Sequence, residues 1–180
     1  MTAPRPTPTT PSAPTTTTAT TTPTTTTTSS RAAEPTDPAR PQDPADGALF
    51  DAIATEHATI YGYGLVSAHS TPDVNDLVSA ALAEHRARRE AAIAMLGARS
   101  VAPPGPAVGY QLPTPVTTPT DAAALAVRME NDAAVAWRAV AEQATTTENR
   151  AFAITALTEC AIAAARWNQV LGVSPVTVAL

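Results

Sequence analysis

The 180-residue chain contains no lysine: its 11 basic residues are all arginine, and 16 acidic residues outnumber them to give a net charge of -5. So few cations among so many acids cannot assemble the basic face that a phosphate backbone requires, which excludes nucleic acid as a partner. The lone cysteine, Cys160, excludes an internal disulfide framework. No apolar run approaches the length of a membrane span, and the opening MTAPRPTPTTPSAP has no apolar signal core. The expected setting is therefore the cytoplasm, with no membrane partner; a Thr/Pro-rich tail would also suit a glycosylated stalk. A Gly-rich phosphate loop, a C-x-x-C pair and a Ser-His-Asp arrangement are all missing.

What is present divides sharply by composition. Residues 1–45 are nearly all Thr, Pro, Ala and Ser, with runs such as TTTTATTTPTTTTTSS. A tract of this kind buries too little apolar surface to offset the entropy of ordering it, and disorder is expected. Residues 46–180 are Ala-rich and nowhere alternate like a strand, which predicts an all-α domain of ordinary single-core size.

Punctuation cuts that domain into four helices, over 46–70, 72–100, 120–145 and 146–172. The first stops at STPD, the second ends near Gly97, Thr120 is placed to cap the third, and Gly172 followed by Pro175 closes the fourth. Helices of about 24 residues are roughly 36 Å long. The joins between helices one and two and between three and four are short, so each pair is an antiparallel hairpin. Helices two and three are separated by VAPPGPAVGYQLPTPVTTP, and a Pro-rich linker covers about 3 Å per residue, enough to run the length of the bundle. Short, long, short is the pattern of a four-helix bundle with one long crossover between helices 2 and 3. The second hairpin is then expected to start at the same end as the first.

Apolar stripes place particular polar residues inside. Leu49, Ile53, Glu56, Ile60 and Tyr63 share a face of helix one. Leu77, Ala81, Glu84, Arg88, Ala91 and Met95 do so in helix two, with His85 at the stripe's edge. Helix three offers Ala126, Glu130, Ala133, Trp137 and Val140. Helix four offers Ala153, Leu157, Cys160, Ala164, Trp167 and Leu171, with Glu159 and Arg166 on its shoulder. Each helix thus brings one mid-length glutamate on or beside its inward face: Glu56, Glu84, Glu130 and Glu159. Buried carboxylates require a metal, cationic side chains or protonation to neutralise them.

The crossover, EHATIYGYG in helix one, AEHRARRE in helix two and the single Glu130 and Glu159 together resemble the ferritin-like superfamily. More narrowly they are similar to an uncharacterised actinobacterial family of ferritin-like domains, DUF4439-like, catalogued only as a domain of unknown function. The resemblance implies a ferritin-like bundle over about 46–180 and brings no established activity. Tyr63, seven residues after Glu56, resembles the ferritin tyrosine that hydrogen-bonds near the metals.

Di-iron bundles carry Glu-x-x-His on two helices, and this chain has none: Ala87 and Ile162 stand where the histidines belong. Arg88, one turn after Glu84, supplies an invariant charge and forked donors where a ligand would be wanted, and Arg166 offers a second cation. Two functions remain. One is a non-metal structural or partner-binding bundle with a buried Glu/Arg network, needing no cofactor. The other is a di-iron or di-manganese oxidase or iron-binding protein with an all-carboxylate site. Trp137, Trp167, Phe152, Met95 and Met129 read as core, and Cys160 as an inert buried thiol. Bundles of this size commonly dimerise, so a homodimer is expected, and the apolar GVSPVTVAL end would pack across the bundle or against a second subunit.

Overall fold

The computed structural model describes residues 1–2, 37, 39–112 and 114–173. Most of the Thr/Pro-rich tail and all but the start of GVSPVTVAL, with the expectations attached to them, lie outside that set.

Four helices make an all-α bundle: α1 (Pro44–His69), α2 (Asn75–Gly97), α3 (Pro119–Gln143) and α4 (Thr147–Val170), with a 3-10 turn (Pro72–Val74) leading into α2. Local chemistry sets their starts. Asp43 caps α1, its carboxylate accepting from the Ala45 and Asp46 amides, and Pro44 occupies the first turn, where its missing N–H costs nothing. Thr118, and not Thr120, caps α3. Its extended backbone is the conformation that a following proline favours, and Thr118 and Asp121 form a reciprocal capping box. Thr146 accepts from the Asn149 amide at the start of α4.

α2 and α4 end on left-handed residues, whereas α1 and α3 pass into extended backbone at Ser70 and Ala144. Gly172 has φ +67° after α4, where the Val173 amide reaches back to the Asn168 carbonyl. At the end of α2 the corresponding residue is Ser100, φ +58°, and the Val101 amide bonds the Leu96 carbonyl. Gly97 is the last helical residue there and not the left-handed one.

Side-chain pairs fix the directions. Glu56 meets Trp137 while Tyr63 meets Glu130, so α1 and α3 are antiparallel. Glu56 meets His85 while Asp46 meets Arg99, so α1 and α2 are antiparallel as well. The crossover climbs beside α1: Pro104 lies by His57, Tyr110 packs on Tyr61 with ring centroids 5.2 Å apart, and Val116 is buried in the far cluster. The second hairpin consequently starts at the end where α1 finishes. The expectation that both hairpins start at one end fails because a linker that spans the whole bundle delivers the chain to the opposite end.

The core has two apolar halves. One gathers Leu49, Ile53, Leu96, Val140 and Ala153, and the other Val66, Val78, Ala122, Leu125 and Trp167. Gly62 sits at the α1/α3 contact, where an added Cβ would fall 2.1 Å from the Met129 sulfur. Between the two halves lies a layer of polar side chains. No helix among the described residues is long and apolar enough to cross a membrane.

Candidate functional site

Every helix contributes to the polar layer. Glu56 of α1, His85 and Arg88 of α2, and Glu130 of α3 are all nearly inaccessible. Tyr63, Trp137, Cys160 and Trp167, each fully buried, complete it.

His85 is the hub. Its Nδ1 lies 2.6 Å from Glu56 Oε2 and its Nε2 3.1 Å from Glu130 Oε1, so opposite edges of one ring meet carboxylates from two different helices. Burial opposes a charged imidazole, but hydrogen bonds to Glu130 and Glu56 outweigh it and push the group up to about 9. The ring is therefore an imidazolium at neutral pH, and both nitrogens donate.

Arg88 is the second cation. Its Nη1 donates to Glu56 Oε1 at 3.3 Å and to Cys160 Sγ at 3.1 Å, and its Nη2 donates to Glu159 Oε2 at 3.1 Å. Nη1 also stands 3.2 Å from His85 Nδ1. With both groups charged that approach is not a hydrogen bond, and the Glu56 carboxylate shared by both cations makes it tolerable. Burial alone would raise Glu56; His85, Arg88 and the Trp137 indole, which donates to Oε1 at 2.6 Å, hold its carboxyl below the usual range instead.

On the far side Tyr63 donates to Glu130 Oε1 at 2.5 Å, and the Trp167 indole donates to the Tyr63 oxygen at 2.9 Å. Burial and the neighbouring Glu130 push the Tyr63 phenol up, so it remains a donor. Burial likewise pushes the Cys160 thiol up, against the pull of Arg88. A neutral thiol facing a guanidinium is a weak acceptor, not a nucleophile.

The four expected glutamates do not converge. Glu56 and Glu130 are buried, whereas the Glu159 side chain is 45% exposed and reaches inward only through Arg88. Glu84, expected on the inward stripe, is exposed, and His85, expected at its edge, is central. The reason is helical phase. The buried line of α2 is Val78, Ala81, His85, Arg88, Ala92 and Leu96, which shares Ala81 and Arg88 with the expected stripe but is otherwise displaced by one residue. Arg166 is exposed and takes no part.

Trp137, Trp167 and Cys160 read as core from sequence and are also hydrogen-bond partners. A signal was present: Glu56/Tyr63, Glu130/Trp137 and Cys160/Trp167 each stand seven apart on one face, and a buried indole N–H must find an acceptor.

This donor set does not suit a metal ion. The two nitrogens of His85 face different carboxylates on opposite edges of the ring, Arg88 occupies the space among the acids, and Glu84 points away. No group of three His, Cys, Asp or Glu side chains among the described residues could hold an ion.

Residues 48–180 match a family described as Domain of unknown function (DUF4439). Among solved structures, the chain is similar to that of a conserved hypothetical protein, rv2844, from Mycobacterium tuberculosis. The identity is 60% with a TM-score of 0.71, over 73% of this chain and 99% of that one. No curated protein matches.

Proposed function

The chain belongs to the DUF4439 family, and on that premise we propose that it is a non-metal, ferritin-like bundle that serves as a structural or partner-binding module. Its buried Glu/His/Arg network sets which helices meet. The observation that carries this reading is His85, bound through opposite edges to Glu56 of α1 and Glu130 of α3. With Arg88, it places two positive charges between the acids, where a metal would otherwise supply the charge. The short, long, short connections and the crossover support the ferritin-like description.

Buried ionic networks stabilise less than apolar packing of the same volume but penalise wrong pairings strongly. Every helix contributes to this network, so a helix slipped by one turn would leave charge unpaired in the core. Exposed Val135 on α3 and Ile154 and Ile162 on α4 support a second copy of the chain as the first partner to seek, by light scattering.

Anaerobic Fe(II) or Mn(II) loading followed by desalting and elemental analysis tests the reading. No retained metal is expected, together with 15N shifts that mark His85 as doubly protonated at pH 7. About two irons per chain, abolished by Glu130→Ala, would establish the di-iron alternative instead.

A further inference from the structure

Close backbone packing pairs α1 with α2 and α3, and α3 with α4, while α2 and α4 stand further apart across an open groove. Glu84 and Ala91 line it from α2, and Thr155 and Glu159 from the antiparallel α4. Ala80 precedes Glu84 by one turn, and Ile162 and Arg166 follow Thr155 and Glu159 by seven residues, two turns along the same face. The α2 side therefore shows Ala80, Glu84 and Ala91, and the α4 side Ile162, Arg166 and, just past the helix end, Val173. Both sets have the same spacing, four residues and then seven. Ile162 and Val173 are each 47% exposed, large apolar side chains left to solvent.

The charges on this face differ from those on the outer face of α3. There Arg138 pairs with Glu142 at 2.9 Å, and Arg128 stands 3.9 Å from Asp132. Glu84 and Arg166 are exposed and have no such partner among the described residues. They cannot meet within one chain: Glu84 lies level with Glu159, while Arg166 stands across the groove and seven residues, about 10 Å, further along α4.

A two-fold axis perpendicular to this face, midway between Glu84 and Arg166, brings them together across two chains. Because α2 and α4 are antiparallel within a chain, that axis lays the partner's α2 along this α4 in the same direction, and the equal spacing holds the register. Ile162 then meets the partner's Ala80, Arg166 the partner's Glu84 and Val173 the partner's Ala91, each pair occurring twice. Large side chains face small ones and a cation faces an anion, and the alanines allow the helices to approach closely. An axis at the level of Glu84 and Glu159 would instead set carboxylate against carboxylate.

We propose that the α2/α4 face docks a second copy of this chain in that register, held by two symmetric Arg166–Glu84 pairs around Ile162 and Ala80. This rests on the partner-binding reading above and names the surface and the partner. Contact is confined to the half of the face nearer the end of α4, so the interface is small and a dissociation constant on the order of tens of micromolar is expected. Such a dimer covers the open groove above Arg88 and Glu159 at high concentration and leaves the chain monomeric in dilute unfolding experiments.

Sedimentation velocity of the full chain from low micromolar to near-millimolar concentration tests this. A reversible monomer–dimer equilibrium is expected. Arg166→Glu and Glu84→Arg change exposed side chains and should fold normally, and each replaces two ion pairs with two like-charge contacts, weakening the dimer about tenfold or more. The two changes combined in one chain exchange the signs and should restore it. Val135→Glu, on the exposed side of α3 away from the groove, should leave it unchanged. A dimer indifferent to both single reversals, no recovery in the double reversal, or loss of the dimer in Val135→Glu would each overturn the proposed face while leaving a second copy as partner. A monomer at every concentration would overturn the second copy as well, and the metal-loading experiment would still decide the non-metal reading independently.

Discussion

His85 Nδ1 and Glu56 Oε2 stand 2.6 Å apart in a layer that water does not reach, joining α2 to α1 through a charged hydrogen bond. The pair makes stability depend on pH in a defined window. His85 is raised from 6.5 to about 9 on folding, so its contribution is complete below the unfolded value and is lost as pH rises through the folded one. The shift corresponds to about 3 kcal/mol. Glu56 acts with the opposite sign: lowered from 4.5, it stabilises above that value and loses its contribution as pH falls. Stability should therefore be greatest between about 4.5 and 6.5. Because the chain has no lysine, few other groups titrate on the alkaline side. Urea unfolding at pH 6 and pH 9.5 should show the loss in the wild type and a much smaller one in His85→Gln, where only the buried Cys160 thiol, raised from its ordinary 9.0, still contributes. Parallel profiles for the two proteins would remove His85 as the titrating group.

Arg88 holds acceptors from two other helices, and its removal should be far more costly than loss of any one of them. Arg88→Ala leaves Glu56 with one cation fewer inside the core, and a loss of about 3–5 kcal/mol is expected in chemical denaturation. Glu159→Gln removes the half-exposed partner of the same guanidinium and should cost under about 1 kcal/mol. In a double-mutant cycle, Glu56→Gln should recover part of the Arg88→Ala loss, because it removes the stranded charge. Additive losses would show that the two side chains are not energetically coupled.

The helix count, the hairpin pairing and the crossover were legible because they rest on punctuation: STPD, the Pro-rich linker and Gly172 interrupt long apolar periodicity. Glu56, Tyr63 and Glu130 were legible because large apolar residues on α1 and α3 fix the phase of their stripes. On α2 the phase was not legible. Leu77, Ala81, Ala91 and Met95 make as good a stripe as Val78, Ala81, Ala92 and Leu96, since Ala is indifferent to burial and both lines pass through Arg88. Tertiary contact with Glu56 and Glu130 selects the second line, and no local property of the sequence carries that information.

That choice of phase is itself testable by substitution. Glu84 and Arg166 are exposed and make no hydrogen bond or ion pair among the described residues. Glu84→Ala and Arg166→Ala should each change stability by less than about 0.5 kcal/mol. Trp137→Phe keeps most of the buried ring but removes the indole donor 2.6 Å from Glu56; about 1–3 kcal/mol should be lost. It should also move the acid limb of the stability profile upward, because Glu56 would be easier to protonate. A Glu84→Ala variant as damaging as Trp137→Phe would favour the other stripe.

The ends of α2 and α4 offer a paired test of backbone strain. Both finish on the same long reach-back bond, Val101 to Leu96 and Val173 to Asn168, with a left-handed residue just before it. On α4 that residue is glycine, and on α2 it is Ser100 at φ +58°. An L side chain in this region costs about 1–2 kcal/mol, against which glycine's greater freedom in the unfolded chain must be set. Ser100→Gly should raise stability by about 0.5–1 kcal/mol, and Gly172→Ala should lower it by about 1 kcal/mol. Both are read from urea midpoints at constant slope, since neither change alters the surface exposed on unfolding. Ser100 makes no side-chain hydrogen bond among the described residues, so the gain on α2 has no lost contact to offset it. A destabilised Ser100→Gly would mean that the helix end is held by something other than its left-handed turn.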